Sequence, residues 1–377
     1  MNVDVGAAGV CASGAGVTIA PTARVAATSR LARIEWEGPT ALSIASMISA
    51  ASLESYGAAR RGVGLVARQD YGRVVVSGKD RATYLHGLLT NDIAVLKPGA
   101  GCYAAYLTPQ GRMIADLWVY ELGDVMLVTL LDDVKDTVLG RLDQFIFAED
   151  VQLGDVSDTF ASLAAVGPLA AAAVARALGL DQAALEALPE HGNLRAAFSG
   201  QPAIVLRVTD LGEPGFDLLV EAGAIAGLRA ALHAEGAVDV DADAAEAIRV
   251  EAGVPKFHRD MDEDTIPLEA GIEARAISLT KGCYVGQEVI IRVLHRGHGR
   301  VARKLVGLVA DSGVPVERGA AVLAGDRHVG AVTSAAWSPA LQKPIALAYV
   351  LRDFIEPGTD VTVSGAAAVV TALPFHQ

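Results

Sequence analysis

The segment Lys281-Gly282-Cys283-Tyr284-Val285-Gly286-Gln287-Glu288 constrains this chain more than any other stretch. It sets a cation, a thiol, a phenol, an amide and a carboxylate around two glycines. A stretch built only for packing has little use for so many different polar groups. Glycine admits backbone conformations and close approaches that a Cβ forbids. The segment therefore reads as a tight loop that holds functional groups near a ligand or partner. Gly286-Gln287-Glu288 reads as the start of a helix, and a thiol beside a cation and a helix N-terminus ionises more readily. Cys283 is accordingly a candidate reactive group with Lys281 as its neighbour; a small buried hydrophobe is the bland alternative.

The chain has 377 residues, enough for two or three domains each with its own core. Hydrophobic residues make up 52% and charged residues 20%, a globular balance rather than a disordered one. A net charge of -13 argues against a broad nucleic-acid footprint, which needs a basic surface, but leaves room for a local basic pocket. Cys11, Cys102 and Cys283 are too scattered for a disulfide framework and form no C-x-x-C, so a reducing cytoplasm is the expected compartment. They are also fewer than an iron–sulfur cluster usually takes from one chain. The most apolar stretch, 161–180, has Arg176 as its only charge. Its Gly167-Pro168 break and alanine content read as a buried strand followed by a helix from Pro168, not as a membrane span.

Residues 1–38 lack periodicity and read as a disordered tail; Arg24, Arg30 and Arg33 give it only a faint likeness to a transit peptide. A helix is expected over 40–56. Strand-like runs at 73–76, 102–107, 113–120 and 125–130 have the spacing of an antiparallel meander, with a helix over 80–89. Asp132 is an expected N-cap for a helix to 148, with Val134, Val138, Leu142 and Phe145 along one face. A second passage follows: strands at 160–166, 203–208 and 216–220, and helices from Pro168, over 222–234 and over 242–252. After Gly299, short β-rich runs at 304–309, 320–323, 328–333, 345–350, 360–363 and 368–373 suggest a small barrel or sandwich. The expected division is a tail at 1–38, a core at 39–300 and a β domain at 301–377.

The octapeptide resembles the K-G-C-Y-x-G-Q-E signature of the YgfZ family of folate-binding proteins. These are relatives of the glycine-cleavage T-protein (aminomethyltransferase) and are associated with iron–sulfur protein maturation. Other segments resemble the same pattern: Gly78-Lys79-Asp80 with Leu89-Thr90-Asn91-Asp92, Gly111-Arg112-Met113-Ile114-Ala115-Asp116, and Gly167-Pro168. So do Arg249-Val250-Glu251-Ala252-Gly253, Asp260, and Pro267-Leu268-Glu269-Ala270-Gly271. The resemblance implies an α+β, T-protein-like folate-binding core of two related lobes followed by a small C-terminal β-barrel. It implies tetrahydrofolate or another reduced folate as ligand, near Asp116, Glu251 and Tyr103, with Asp260 in a folate-pocket segment. Gln287 and Glu288 would match the edge of a pterin, and Lys281, Arg292 or Arg296 would pair with the glutamate carboxylates of folate. A turn cap and solvated surface charges are the bland alternatives for these residues. The implied partners are folate and iron–sulfur client or assembly proteins, including enzymes that modify tRNA.

Asp116 marks a departure. In the T-protein pattern this strand carries two adjacent aspartates that serve folate binding and catalysis; here the pair is Ala115-Asp116. Neighbours on a strand face opposite ways, so the two positions are not interchangeable. The missing carboxylate argues against aminomethyl transfer and moves the expected chemistry from Asp116 toward Cys283 and Lys281. Three functions follow: a folate-binding factor that supports assembly or repair of iron–sulfur enzymes; a folate-dependent one-carbon transferase or demethylase using Asp116 and Glu251; or a scaffold that has lost folate. The patch His295-Arg296-Gly297-His298-Gly299-Arg300 reads as either an anion-facing hinge or a solvated linker. The acidic run from Asp260 fails as a calcium loop, because Thr265 and Gly271 stand where glycine and glutamate are required. No metal site is expected, and motifs for ATPases, Rossmann dehydrogenases, zinc proteases and serine hydrolases are absent.

Overall fold

The computed structural model describes residues 49–295, 299–311 and 316–375. The expected tail, the first half of the expected helix at 40–56, and Arg296 and His298 of the basic patch lie outside the described residues. The architecture is that of the compact unit Ala41–Gln377.

Among the described residues the core holds eleven strands: β1 (Gly64–Ala67), β2 (Tyr71–Ser77), β3 (Gly101–Leu107), β4 (Met113–Glu121), β5 (Met126–Leu131), β6 (Gln152–Asp155), β7 (Phe160–Val166), β8 (Asn193–Phe198), β9 (Gln201–Val208), β10 (Gly215–Glu221) and β11 (Val238–Asp239). They form two sheets, one in the order β3-β4-β5-β2-β6 and one in the order β11-β1-β7-β10-β9-β8. The chain enters the second sheet at β1, crosses to build the first, then returns at β7, which ties the two lobes together. Six more strands, from Arg303 to Thr371, close into a barrel. The fold expected from the resemblance, two α+β lobes and a C-terminal barrel, is the one observed.

Strand β4 shows how the sequence positions the site. Met113, Ala115, Leu117 and Val119 face one way, into a core with Val74, Val76, Leu85, Val138 and Leu142. Tyr120 faces the other way and packs with Leu127 against Leu206, Val208 and Leu219 of the second sheet. Asp116 and Trp118 share that second face by strand alternation. The two sheets therefore meet through an apolar seam at Tyr120 and part toward Asp116.

Several boundaries differ from expectation for local reasons. The helix begun at Asp132 ends at Asp143, and Phe145 beyond it is 42% exposed. Pro168 precedes a helix that spans Ala170–Leu178. The apolar stretch 161–180 is a strand and a short helix, and among the described residues no helix is long and apolar enough to cross a membrane.

Candidate active-site cleft

Where the sheets part there is a cleft of about 320 Å³. Tyr103, Asp116 and Trp118 form its wall on the first sheet, and Arg68, Asp210 and Leu211 the facing wall. Arg249, from the helix Ala242–Glu251, and the following segment with Lys256, Phe257 and Arg259 cover one side; Arg275 closes the rim.

Asp116 is 5% exposed, and the Tyr103 hydroxyl donates to its Oδ2 at 2.8 Å. Burial pushes the Asp116 carboxyl up to about 6, against the pull of the Tyr103 hydroxyl, its own backbone N–H, and the charges on Arg275 and Lys256. A carboxyl so tuned changes protonation state close to neutral pH, as acid–base and ligand-binding groups often do. The rings of Tyr103 and Trp118 lie 5.1 Å apart, and those of Trp118 and Tyr71 5.9 Å apart, giving the cleft an aromatic wall. The Arg275 guanidinium stands 5.2 Å over the Tyr103 ring, and Lys256 stands 5.9 Å over Tyr71 while donating to Asp70 at 2.5 Å. Arg68 is fixed between Asp210 at 2.7 Å and Asp217 at 2.9 Å.

The motif Leu89-Thr90-Asn91-Asp92 braces this cleft from behind. Thr90 Oγ1 donates to the carbonyl of Ala276 at 2.6 Å. Asn91 Nδ2 donates to the carbonyls of Tyr103 at 2.8 Å and Arg275 at 3.0 Å, so one amide holds two cleft residues in place.

The structure brings together only part of the residue set expected from the sequence. Tyr103 and Asp116 meet in the cleft. Glu251, expected beside the ligand, is instead fully buried away from it. Its carboxylate accepts from the Tyr56 hydroxyl at 2.8 Å, from Arg60, from the Ser338 hydroxyl and from the Ala340 N–H at 3.3 Å. It joins the helix Ala50–Arg61 to the barrel and is out of reach of a ligand. Asp260 lies behind the cleft. It accepts from Arg249 at 2.7 Å, from the Lys256 N–H at 3.1 Å and from the Thr333 hydroxyl at 2.5 Å. It positions two cleft cations instead of touching the cleft itself.

The octapeptide does not line the cleft. Lys281 is 8% exposed, and its ammonium donates to the carbonyls of Leu89 at 2.6 Å, Asn91 at 3.0 Å and His86. It thereby caps the C-terminal end of the helix Arg81–Leu88, where a cation is favoured. Burial pulls the Lys281 ammonium down to about 8. The expectation that Lys281 activates Cys283 gives way to this inward role. The Tyr284 ring is buried and lies 5.1 Å from the Lys281 ammonium. Gly286 has φ +84°, and a Cβ there would lie 2.6 Å from the Thr108 carbonyl. Its turn packs on that of Gly111, where a Cβ would lie 2.8 Å from Val289. Cys283 is exposed, whereas burial pushes the Cys102 thiol up to about 12. The Gln287 side chain makes one long hydrogen bond, 3.5 Å from Nε2 to the Gly282 carbonyl, and Glu288 and Arg292 are exposed. Among the described residues no group of His, Cys, Asp or Glu is arranged to hold a metal ion.

Sequence reasoning missed Trp118, Lys256 and Arg275. Trp118 was within reach, since it stands two residues from Asp116 on one strand face. Lys256 comes from an irregular segment and Arg275 from the four-residue helix Glu273–Ala276, too short to show a period.

A small-molecule cleft with a buried carboxyl and cationic rim, between two α+β lobes backed by a barrel, defines an aminomethyltransferase-like fold. Residues 22–281 match the GCVT N-terminal domain, and residues 303–377 match the glycine cleavage T-protein C-terminal barrel domain. The chain belongs to the glycine cleavage T-protein family. An aminomethyltransferase of Streptomyces coelicolor is 32% identical over 336 residues, covering 86% of this chain and 89% of its own length. One from Thermus thermophilus is 33% identical over 328 residues, covering 86% and 90% respectively. The crystal structure of glycine cleavage system aminomethyltransferase T from Bartonella henselae shares the fold, with a TM-score of 0.78 at 24% identity over 86% of this chain and 89% of that one.

Proposed function

We propose that the cleft binds tetrahydrofolate or another reduced folate, with the pterin against Asp116 and the rest of the molecule passing Lys256 and Arg275. The observation that carries this reading is the buried Asp116 carboxyl, held by Tyr103, on an aromatic wall rimmed by cations. A pterin offers adjacent N–H donors that a carboxylate accepts, and its flat ring suits an aromatic wall. Cations at the rim suit the carboxylates of the glutamate end.

The finer role we propose is support of iron–sulfur enzyme assembly or repair, including enzymes that modify tRNA, with Cys283 as the thiol offered to a partner. The arrangement of the octapeptide supports it: Lys281, Tyr284 and Gly286 fix the loop, while Cys283 stays exposed outside the cleft. A thiol presented in this way meets a protein partner, not the folate. In a strain lacking this protein, Cys283→Ala is expected to bind reduced folate normally yet fail to restore iron–sulfur enzyme activity. Asp116→Ala is expected to lose both. Full rescue by Cys283→Ala would remove the thiol from the mechanism.

A second reading, folate-dependent one-carbon transfer, is favoured by the orientation of β4. Asp116 faces the cleft, whereas Ala115 is fully buried on the opposite face. An aspartate at 115 would enter the core and not reach the ligand, so its absence leaves the cleft carboxyl in place. Formation of methylene-tetrahydrofolate from an aminomethylated carrier, dependent on Asp116 and independent of Cys283, would establish this reading.

A further inference from the structure

A separate cavity, about 310 Å³ in volume, lies between the segment 259–262 and the barrel. The segment supplies Arg259, Asp260 and Asp262 to it, and the barrel supplies Arg303, His328, Ala331, Tyr349 and Leu351. Among the described residues, Arg259 alone lines both this space and the cleft.

Some of the charge on its walls is already matched. Asp260 is held by Arg249, the Lys256 N–H and the Thr333 hydroxyl. Arg303 pairs with Glu269 at 3.2 Å and lies 4.6 Å over the Tyr349 ring. Other groups are open. Among the described residues the Arg259 guanidinium and the His328 ring enter no hydrogen bond or ion pair. Asp262 Oδ1 accepts from the Thr265 hydroxyl at 2.7 Å and from the Asp264 N–H at 3.1 Å, which leaves Oδ2 without a partner. The buried Tyr349 hydroxyl has no hydrogen-bond partner either. Arg259 and Asp262 thus face one small space with opposite charges, three residues apart in the chain, and do not pair with each other. Ala331 and Leu351, which is 36% exposed, add an apolar surface beside them.

We propose that this cavity binds a free aliphatic α-amino acid, with its carboxylate on Arg259, its ammonium on Asp262 and its side chain against Ala331 and Leu351. A guanidinium takes a carboxylate through two parallel N–H bonds, and a carboxylate oxygen accepts from an ammonium. Both charged groups of an α-amino acid sit on one carbon, so one small molecule serves both walls. A simple anion would face Asp262 with like charge, and a simple cation would face Arg259 and Arg303; the zwitterion avoids both conflicts. The volume stands at the small end of the ligand-site range of about 300–1,000 Å³. The proposal does not depend on the folate reading of the cleft.

The test is ligand-observed NMR titration of the full chain with three compounds: L-leucine, 4-methylpentanoate, which lacks the ammonium, and 3-methylbutylamine, which lacks the carboxylate. The wild-type protein is expected to bind leucine with a Kd of about 1 mM or tighter. Each analogue is expected to bind about tenfold more weakly or worse, the loss of one charge-assisted contact. Arg259→Gln is expected to weaken leucine binding about tenfold and leave 3-methylbutylamine unaffected. Asp262→Asn is expected to weaken leucine binding to a similar degree without weakening 4-methylpentanoate. Both residues are exposed, so the variants are expected to fold, and the comparison of the three compounds on the wild-type protein decides the matter without them. No binding of leucine to the wild-type protein at about 10 mM overturns the proposal. Equal wild-type affinity for leucine and either analogue also overturns it, as does leucine affinity unchanged in either variant.

Discussion

Asp116→Asn is expected to weaken reduced-folate binding by about 10- to 100-fold, because hydrogen bonds to a charged group are each worth about 1.5–3 kcal/mol. Asparagine keeps the shape but turns one acceptor into a donor, which opposes the N–H groups of a pterin. The same change is expected to stabilise the empty protein at neutral pH. Burial holds the folded Asp116 carboxyl at about 6, whereas an unfolded aspartate sits near ~3.9. The folded state therefore binds the proton more tightly. Its contribution to stability is present at low pH and is lost as pH rises between about 4 and 6. At pH 7.5 the ionised carboxylate costs the fold about 3 kcal/mol, with 1.36 kcal/mol for each unit of difference. Asparagine does not ionise, so thermal unfolding should show a higher Tm for the variant at pH 7.5 and no gain at pH 4. Folate affinity of the wild-type protein should fall as pH drops below about 6, where the carboxylate is protonated. A variant that binds folate like wild type, or that is less stable at pH 7.5, would count against the role given to Asp116.

Lys281→Met is expected to destabilise the protein by at least about 3 kcal/mol, since each buried polar group left without a partner costs about 1–3 kcal/mol. The carbonyls of His86, Leu89 and Asn91 would all lose their donor. The damage should also reach the cleft. Asn91, whose carbonyl Lys281 holds, is the residue whose amide holds Tyr103 and Arg275. Folate affinity should therefore fall with stability, although Lys281 touches no ligand. Cys283→Ala, two residues away, should leave the unfolding free energy measured by urea denaturation within about 0.5 kcal/mol of wild type, as exposed substitutions usually do. Equal stability of the Lys281→Met variant and the wild-type protein would show that the ammonium does not brace the loop.

This contrast shows what the sequence makes legible. The variety of side chains in the octapeptide marks it as unusual, and its two glycines announce a tight turn. Nothing local reveals that the Lys281 ammonium turns inward onto three carbonyls, because its acceptors lie some 190 residues earlier in the chain. The run Arg249-Val250-Glu251 is similar. Residues two apart on a helix do not face the same way, so one motif sends Arg249 to the cleft and Glu251 to the contact with Tyr56 and Ser338. The meander from β3 to β5 was readable from its alternation and turns. Strand β1 was missed because its four residues are too short to show a period. Asp116 and Tyr103 were named from the family resemblance, while the strands that carry them were readable from their alternation. Lys256 and Arg275 could not be found from the sequence, because only the folded chain brings their segments to the rim.

The most direct test of the folate reading is a crystal structure of the protein with 5-formyl-tetrahydrofolate. The pterin is expected between the walls of the cleft, with its N–H groups within hydrogen-bond distance of Asp116 and the tail leaving past Lys256 and Arg275. Folate seated against the Cys283 loop, with the cleft at Asp116 left empty, would contradict it.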